Sequence, residues 1–160
     1  METALQPPPD ARWPDGFHPT RVDEKGRMRL PAKMLESWER SGKPEFFVTT
    51  FDERIARLYF MHVWHQVKDA LQAKRGEASA KSIFLFANYY GEASTVDPQG
   101  RILMPTNLRR KLEFESQPVQ MLGAGQRIDV YSDSALQQQM ALARPTLTSA
   151  VDDLDVWGIG

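Results

Sequence analysis

The stretch Val22-Asp23-Glu24-Lys25-Gly26-Arg27-Met28-Arg29-Leu30-Pro31 returns 74 residues later as Val96-Asp97-Pro98-Gln99-Gly100-Arg101-Ile102-Leu103-Met104-Pro105. Val, Asp, Gly, Arg and Pro coincide at one register, with the apolar pairs Met28/Ile102 and Leu30/Met104 between them. A chain of 160 residues that carries one strand–turn–strand–proline module twice reads as a duplicated domain with internal two-fold pseudo-symmetry. Two copies at this distance are too few for a solenoid. A pair of half-domains folded onto each other is the simpler architecture.

Asp23 and Gly26 stand at the first and fourth positions of a β-turn, each favoured there for its own reason. After the turn Met28 and Leu30 alternate with Arg27 and Arg29, which predicts a strand with one buried and one basic face. Pro31 suits the first turn of a helix, Met34, Leu35 and Trp38 form its apolar stripe, and Gly42 and Pro44 stop it.

Further on, Phe46-Phe47-Val48-Thr49 answers Gln120-Met121-Leu122-Gly123 as a strand. Leu58-Tyr59 answers Val130-Tyr131 as the next, slipped by two. Gly123-Ala124-Gly125 is the expected turn of the second hairpin. Met61, Trp64, Val67 and Leu71 fall at helical spacing. Residues 79–90 predict another helix, capped by Ser79, with Ile83, Phe86, Ala87 and Tyr90 inward. A last helix starts near Ser134. The plan is α+β, with two βαββ-like repeats.

The chain has no cysteine, which excludes disulfides, thiolate nucleophiles and cysteine-ligated zinc. It holds no apolar run near the roughly 18 residues that span a bilayer and no signal-peptide pattern. A soluble cytoplasmic protein is the expectation. The net charge of −1 averages unlike parts. Residues 1–15 carry Glu2, Asp10 and Asp15 against Arg12, and residues 144–160 carry Asp152, Asp153 and Asp155 against Arg144. Each end is thus −2, which leaves the body, 16–143, at +3. Arg21, Lys25, Arg27, Arg29 and Lys33 crowd into one stretch, and local density matters more than the total for phosphate binding.

The Asp-x-x-Gly-Arg turn has a plain structural reading, in which Asp23 and Asp97 accept backbone N–H bonds and pair with Arg27 and Arg101. Lys and Arg displayed at a hairpin tip also suit phosphate, because a guanidinium binds phosphate oxygens bidentately. A solvated charged face competes with that second reading. His62 and His65 lack a carboxylate or thiolate at ligand spacing, so neither a metal nor a cofactor is expected. There is no nucleophile elbow, and Gly123-Ala124-Gly125 leads into a strand rather than a phosphate-cradling helix. The aromatic residues fall at core spacing rather than as a stacking platform, and an enzyme is not expected.

Two copies of Val-Asp-x-x-Gly-Arg-φ-x-φ-Pro (φ apolar), about 75 apart, resemble the MraZ proteins, bacterial regulators built from two SpoVT-AbrB-type half-domains. Gly16, Leu58-Tyr59 with Trp64, and Leu122-Gly123 before Ile128-Asp129-Val130-Tyr131 look like that family too, over residues 17–134. The resemblance implies a pseudo-symmetric swapped-hairpin (AbrB-type) β-barrel with flanking helices. It also implies a ring homo-oligomer, octamer or dodecamer. Such a ring would bind double-stranded DNA at promoter direct repeats upstream of a division and cell-wall gene cluster, as a cytoplasmic, nucleoid-associated regulator.

The family's Asp-x-x-x-Arg signature falls on Asp23/Arg27 and Asp97/Arg101. Lys25, Arg27, Arg29, Arg101 and Arg21 are the expected DNA contacts, with Asp23, Gly26, Asp97 and Gly100 shaping the turns. The corresponding division is a flexible Pro-rich extension (1–15), repeat 1 (17–63), a helical connection (64–90), repeat 2 (91–134), and a C-terminal helix with an acidic tail (135–160). The tail from Pro145 is expected to be loose. Two other classes remain open: a ring-forming interaction scaffold without specific DNA binding, and a hydrolase using His62/His65 or the acidic turns.

Overall fold

Met28 and Ile102, both fully buried, lie opposite each other where the two copies of the repeated motif meet. The computed structural model describes residues 12–160. The first half runs β1 (Phe17–Arg21), β2 (Arg27–Arg29), α1 (Ala32–Arg40), β3 (Phe46–Thr49) and β4 (Ala56–Phe60). Helices α2 (Met61–Ala73) and α3 (Ala78–Tyr90) connect it to the second half. That half is β5 (Glu92–Ser94), β6 (Arg101–Leu103), α4 (Thr106–Lys111), β7 (Pro118–Ala124) and β8 (Arg127–Ser132). Helix α5 (Asp133–Ala143), a 3₁₀ turn (Arg144–Thr146) and α6 (Leu147–Trp157) complete the chain. The order expected from the repeat is present in both halves.

The halves exchange strands. One antiparallel sheet has the order β1-β7-β8-β4-β3-β5, so each half's first strand pairs with the other half's third-placed element of its hairpin: β1 with β7, and β5 with β3. Between them β4 and β8 pair with Ala56↔Val130 and Leu58↔Ile128, a register that maps onto itself when the halves are interchanged. A second sheet holds only β2 and β6, the two motif strands, with Met28↔Ile102 at its centre.

The expectation of a closed barrel is corrected here: the six-stranded sheet is open. Strands β2 and β6 are three residues long, and Pro31 and Pro105 follow soon after each, so no ladder continues through them. They join the large sheet by single bridges, Val22↔Met28 and Val96↔Ile102, and by side-chain bonds. Thr20 Oγ1 donates to the Arg29 carbonyl at 2.6 Å, and Ser94 Oγ to the Leu103 carbonyl at 3.1 Å.

One sheet face meets the ribbon and α1 and α4 through Phe46, Val48, Leu58, Met121, Ile128 and Val130. On the other, Trp64 of α2 stacks on Phe47 at 4.3 Å, and Thr49 Oγ1 donates to the Ala87 carbonyl of α3 at 2.6 Å. Truncating Met28 to alanine removes the centre of the ribbon contact and is expected to cost about 2–5 kcal/mol, read as a lowered urea midpoint.

Four local expectations are revised. Burial and pairing match Phe46 with Val119, not Gln120, because Phe46/Val48 and Val119/Met121 are the core pairs. The second hairpin turns at Gly125-Gln126, with Gly123 and Ala124 still in β7. Helix α3 starts at Ala78 with Glu77 before it and no side-chain cap, so Ser79 lies inside the helix, and Phe86 is partly exposed. The segment after Pro145 is helical as α6; proline sits in the first turn of the 3₁₀ step, where its missing N–H is not required. Residues 1–11 of the expected extension lie outside the described residues, while Trp13 packs on Phe60 at 5.2 Å.

Tyr90, nearly buried, donates its hydroxyl to the Glu53 carboxylate, and this bond pushes the phenol up to about 12. A raised pKa stabilises the fold below the phenol's ordinary value of 10.0 and loses that contribution as pH rises through about 12.

Candidate nucleic-acid interface

Each motif turn is built by its aspartate. Asp23 Oδ1 accepts the backbone N–H of Lys25 and of Arg27, both at 2.9 Å, and Oδ2 accepts Arg27 Nε at 3.1 Å. Asp97 repeats this with Gln99 N, Arg101 N (2.9 Å each) and Arg101 Nε (3.0 Å). Gly26 and Gly100 close the turns at φ +84° and +78°, the left-handed region that favours glycine. Each aspartate thus accepts two backbone N–H groups of its own turn, and each glycine closes the turn with a positive φ.

The backbone N–H of Arg27 is the largest cause holding the Asp23 carboxyl below its usual value, and that of Arg101 does the same for Asp97. Carboxylates with a depressed pKa stabilise the tips above their ordinary value of 3.8 and release that contribution as pH falls through the lowered one. The tips' contribution to thermal stability should thus be whole at about pH 5 and above and fade only below that ordinary value, so melting should fall less steeply there in Asp23→Asn than in the unmodified chain.

The two tips are clamped by one another. Leu30 N donates to the Gly100 carbonyl at 2.9 Å and Met104 N to the Gly26 carbonyl at 2.8 Å. Over Gly26 lies the guanidinium of Arg109 from α4 of the other half; over Gly100 lies Leu35 from α1, the position 74 residues earlier. Arg109 donates through Nη1 to the Met104 carbonyl at 2.7 Å and through Nε to Glu115 at 3.3 Å. Sequence reading missed Arg109; its one signal was the match of Leu35 and Arg109 at the repeat spacing.

With Met28 and Ile102 turned inward, the outer face of the β2–β6 ribbon carries Arg27 opposite Leu103 and Arg29 opposite Arg101. Like charges directly opposite cost stability in a sheet, so this pairing breaks a local rule. Arg29 Nη1 donates to the Gln99 carbonyl at 2.6 Å and Arg101 Nη2 to Gln99 Oε1 at 2.8 Å, which positions both guanidinium groups. Lys25 is exposed at the first tip. Arg21 is not on the ribbon: it ends β1 and donates through Nη2 to the Ser116 carbonyl at 2.8 Å. Leu103, 52% exposed, is the apolar member of the face.

His62 is half-buried beside Phe60 and its pKa is lowered by desolvation, whereas His65 is exposed. Among the described residues no group of three His, Cys, Asp or Glu side chains could hold a metal ion, and no helix is long and apolar enough to cross a membrane.

A duplicated α+β unit whose paired motif strands raise an arginine-rich ribbon defines a class of two-half proteins with one cationic face. No family model matches the chain. Among its relatives, the transcriptional regulator MraZ of Acidobacterium capsulatum is 36% identical over 128 residues, 79% of this chain and 87% of the relative. The transcriptional regulator MraZ of Koribacter versatilis is 32% identical over 130 residues, 80% and 88% of the two chains. That of Heliobacterium modesticaldum is 30% identical over 142 residues, 87% and 94%. The chain belongs to the MraZ family.

Proposed function

We propose that this protein is a DNA-binding transcriptional regulator that grips double-stranded DNA with the β2–β6 ribbon. The observation that carries this reading is Arg29 facing Arg101 beside Arg27, a like-charged juxtaposition that an anion relieves. The name shared by the relatives supports it. A two-stranded ribbon fits the major groove, where Arg can read base edges as well as phosphates. Lys25, Arg27, Arg29 and Arg101 are the proposed contacts, with Arg21 peripheral; Asp23, Gly26, Asp97 and Gly100 hold them in place.

In this reading residues 17–63 and 91–134 act as two half-domains, and subunits assemble into a ring that binds promoter direct repeats upstream of its own gene. One tip is too small to hold a site tightly; several at fixed spacing supply avidity through effective concentration. Uncovered apolar helices favour assembly, since Leu85, Tyr89, Leu142 and Val151 are each at least 60% exposed. Electrophoretic retardation of DNA from upstream of the gene tests the proposal. Retarded, salt-sensitive complexes are expected. No retardation, with a salt-insensitive protein partner instead, would leave the scaffold reading.

A further inference from the structure

The two halves treat their closing helices differently. In the first, α3 folds back on α2 and covers the sheet through Ala87 and Tyr90. In the second, α5 passes through the 3₁₀ turn into α6 with right-handed helical backbone at Arg144 and Leu147, and the pair forms an extended arm. At 1.5 Å per residue this arm, Asp133 to Trp157, reaches roughly 35 Å. Leu147, Val151 and Leu154 fall at i, i+4 and i+7, and Leu147, Val151 and Trp157 are 54–63% exposed. Asp153 and Asp155 flank this stripe, and α6 has no basic residue. Leu154 is half-buried, while Leu147, Val151 and Trp157 stay open to solvent.

Helix α3 offers a matching face. Leu85 and Tyr89, one turn apart, are 65% and 66% exposed, and Phe86 beside them is 37% exposed. Lys81 lies one turn before Leu85, and Arg75 stands in the turn that precedes the helix. We infer that α6 of one copy docks antiparallel on α3 of the next, so that the arm is the head-to-tail clasp between subunits. In that orientation Leu147 and Val151 lie along Tyr89 and Leu85, while Asp155 meets Lys81 and Arg75. Acidic side chains then also sit at the N-terminal end of α3, where the helix dipole favours them. Arm and face are different surfaces, so the contact is heterologous and repeats around a closed ring. The inference rests on the ring assembly proposed above and names the element that links it.

The chain has no cysteine, so an engineered pair reports cleanly. The full chain carrying Leu85→Cys and Val151→Cys is oxidised and run without reductant, beside each single variant. The expected result is a ladder at multiples of 18.3 kDa for the double variant and nothing beyond a dimer for either single one. Lys81→Glu should lower the assembled mass in light scattering, and adding Asp155→Lys should restore it. An intact assembly that gives no ladder overturns the clasp and leaves the ring standing. A cross-linked product that remains monomeric places the arm on its own α3 and also overturns it. An unmodified chain that scatters at 18.3 kDa across micromolar concentrations removes ring and clasp together.

Discussion

Replacing Lys25 and Arg27 together with alanine should weaken DNA binding about a hundred- to ten-thousandfold, more than Arg101→Ala does. Hydrogen bonds to charged groups are worth about 1.5–3 kcal/mol each, which sets that range. The ranking comes from how much of each guanidinium the tip itself uses. Among the described residues Arg27 spends only Nε, on Asp23, so its two amino groups stay outside the tip's bonds. Arg101 spends Nε on Asp97 and Nη2 on Gln99. Lys25 has the neutral Gln99 as its counterpart in the second motif. Fluorescence anisotropy at two salt concentrations reads both affinity and slope, and each lost phosphate contact should flatten the slope by about one. Equal or reversed losses, with the assembly intact, would show that the two tips share the load differently.

The second large effect is on the fold. Gly26→Ala should destabilise the protein more than Gly100→Ala, and Gly100→Ala more than Gly125→Ala. All three have positive φ, so a left-handed penalty on the order of 1–2 kcal/mol is common to them. They differ in what a side chain would meet. At Gly26 it runs into the Arg109 guanidinium, which is bound to Met104 and Glu115 and must leave both. At Gly100 it lies 3.2 Å from the end of Leu35, which can turn aside, and at Gly125 it enters open space. Chemical denaturation of the three variants orders them directly. A Gly26 variant as stable as the Gly125 one would mean that Arg109 does not clamp the first tip.

The repeat made the order of elements legible because each turn carries its own chemistry: Asp to accept the N–H groups, Gly for the left-handed residue, Pro to start the helix. Exact equivalence drifted because each connection differs by one residue. Phe46 comes fifteen residues after Pro31, Val119 fourteen after Pro105, which moves the match by one at β3. Strand exchange left no local mark, since β1 meets β7 across about a hundred residues and any half-buried strand would read alike. The open sheet follows from motif strands of three residues, a length that alternation alone does not fix. Pro145 reads as a stop when seen alone, yet it occupies a tolerated position in the 3₁₀ step between α5 and α6. At the candidate interface, Lys25, Arg27, Arg29 and Arg101 were visible as charges beside the turns. That Arg29 faces Arg101 could be learned only from the pairing of β2 with β6.

The central claim is that basic ribbons held at fixed spacing bind successive DNA repeats together. It is tested most directly by DNAs with identical repeats and altered spacers, titrated at low and moderate salt. Affinity should fall when a spacer shifts by half a helical turn and recover at a full turn, and one repeat alone should bind weakly with a shallower salt dependence. Affinity unchanged at half-turn spacing would contradict the account and assign specificity to base contacts within a single repeat.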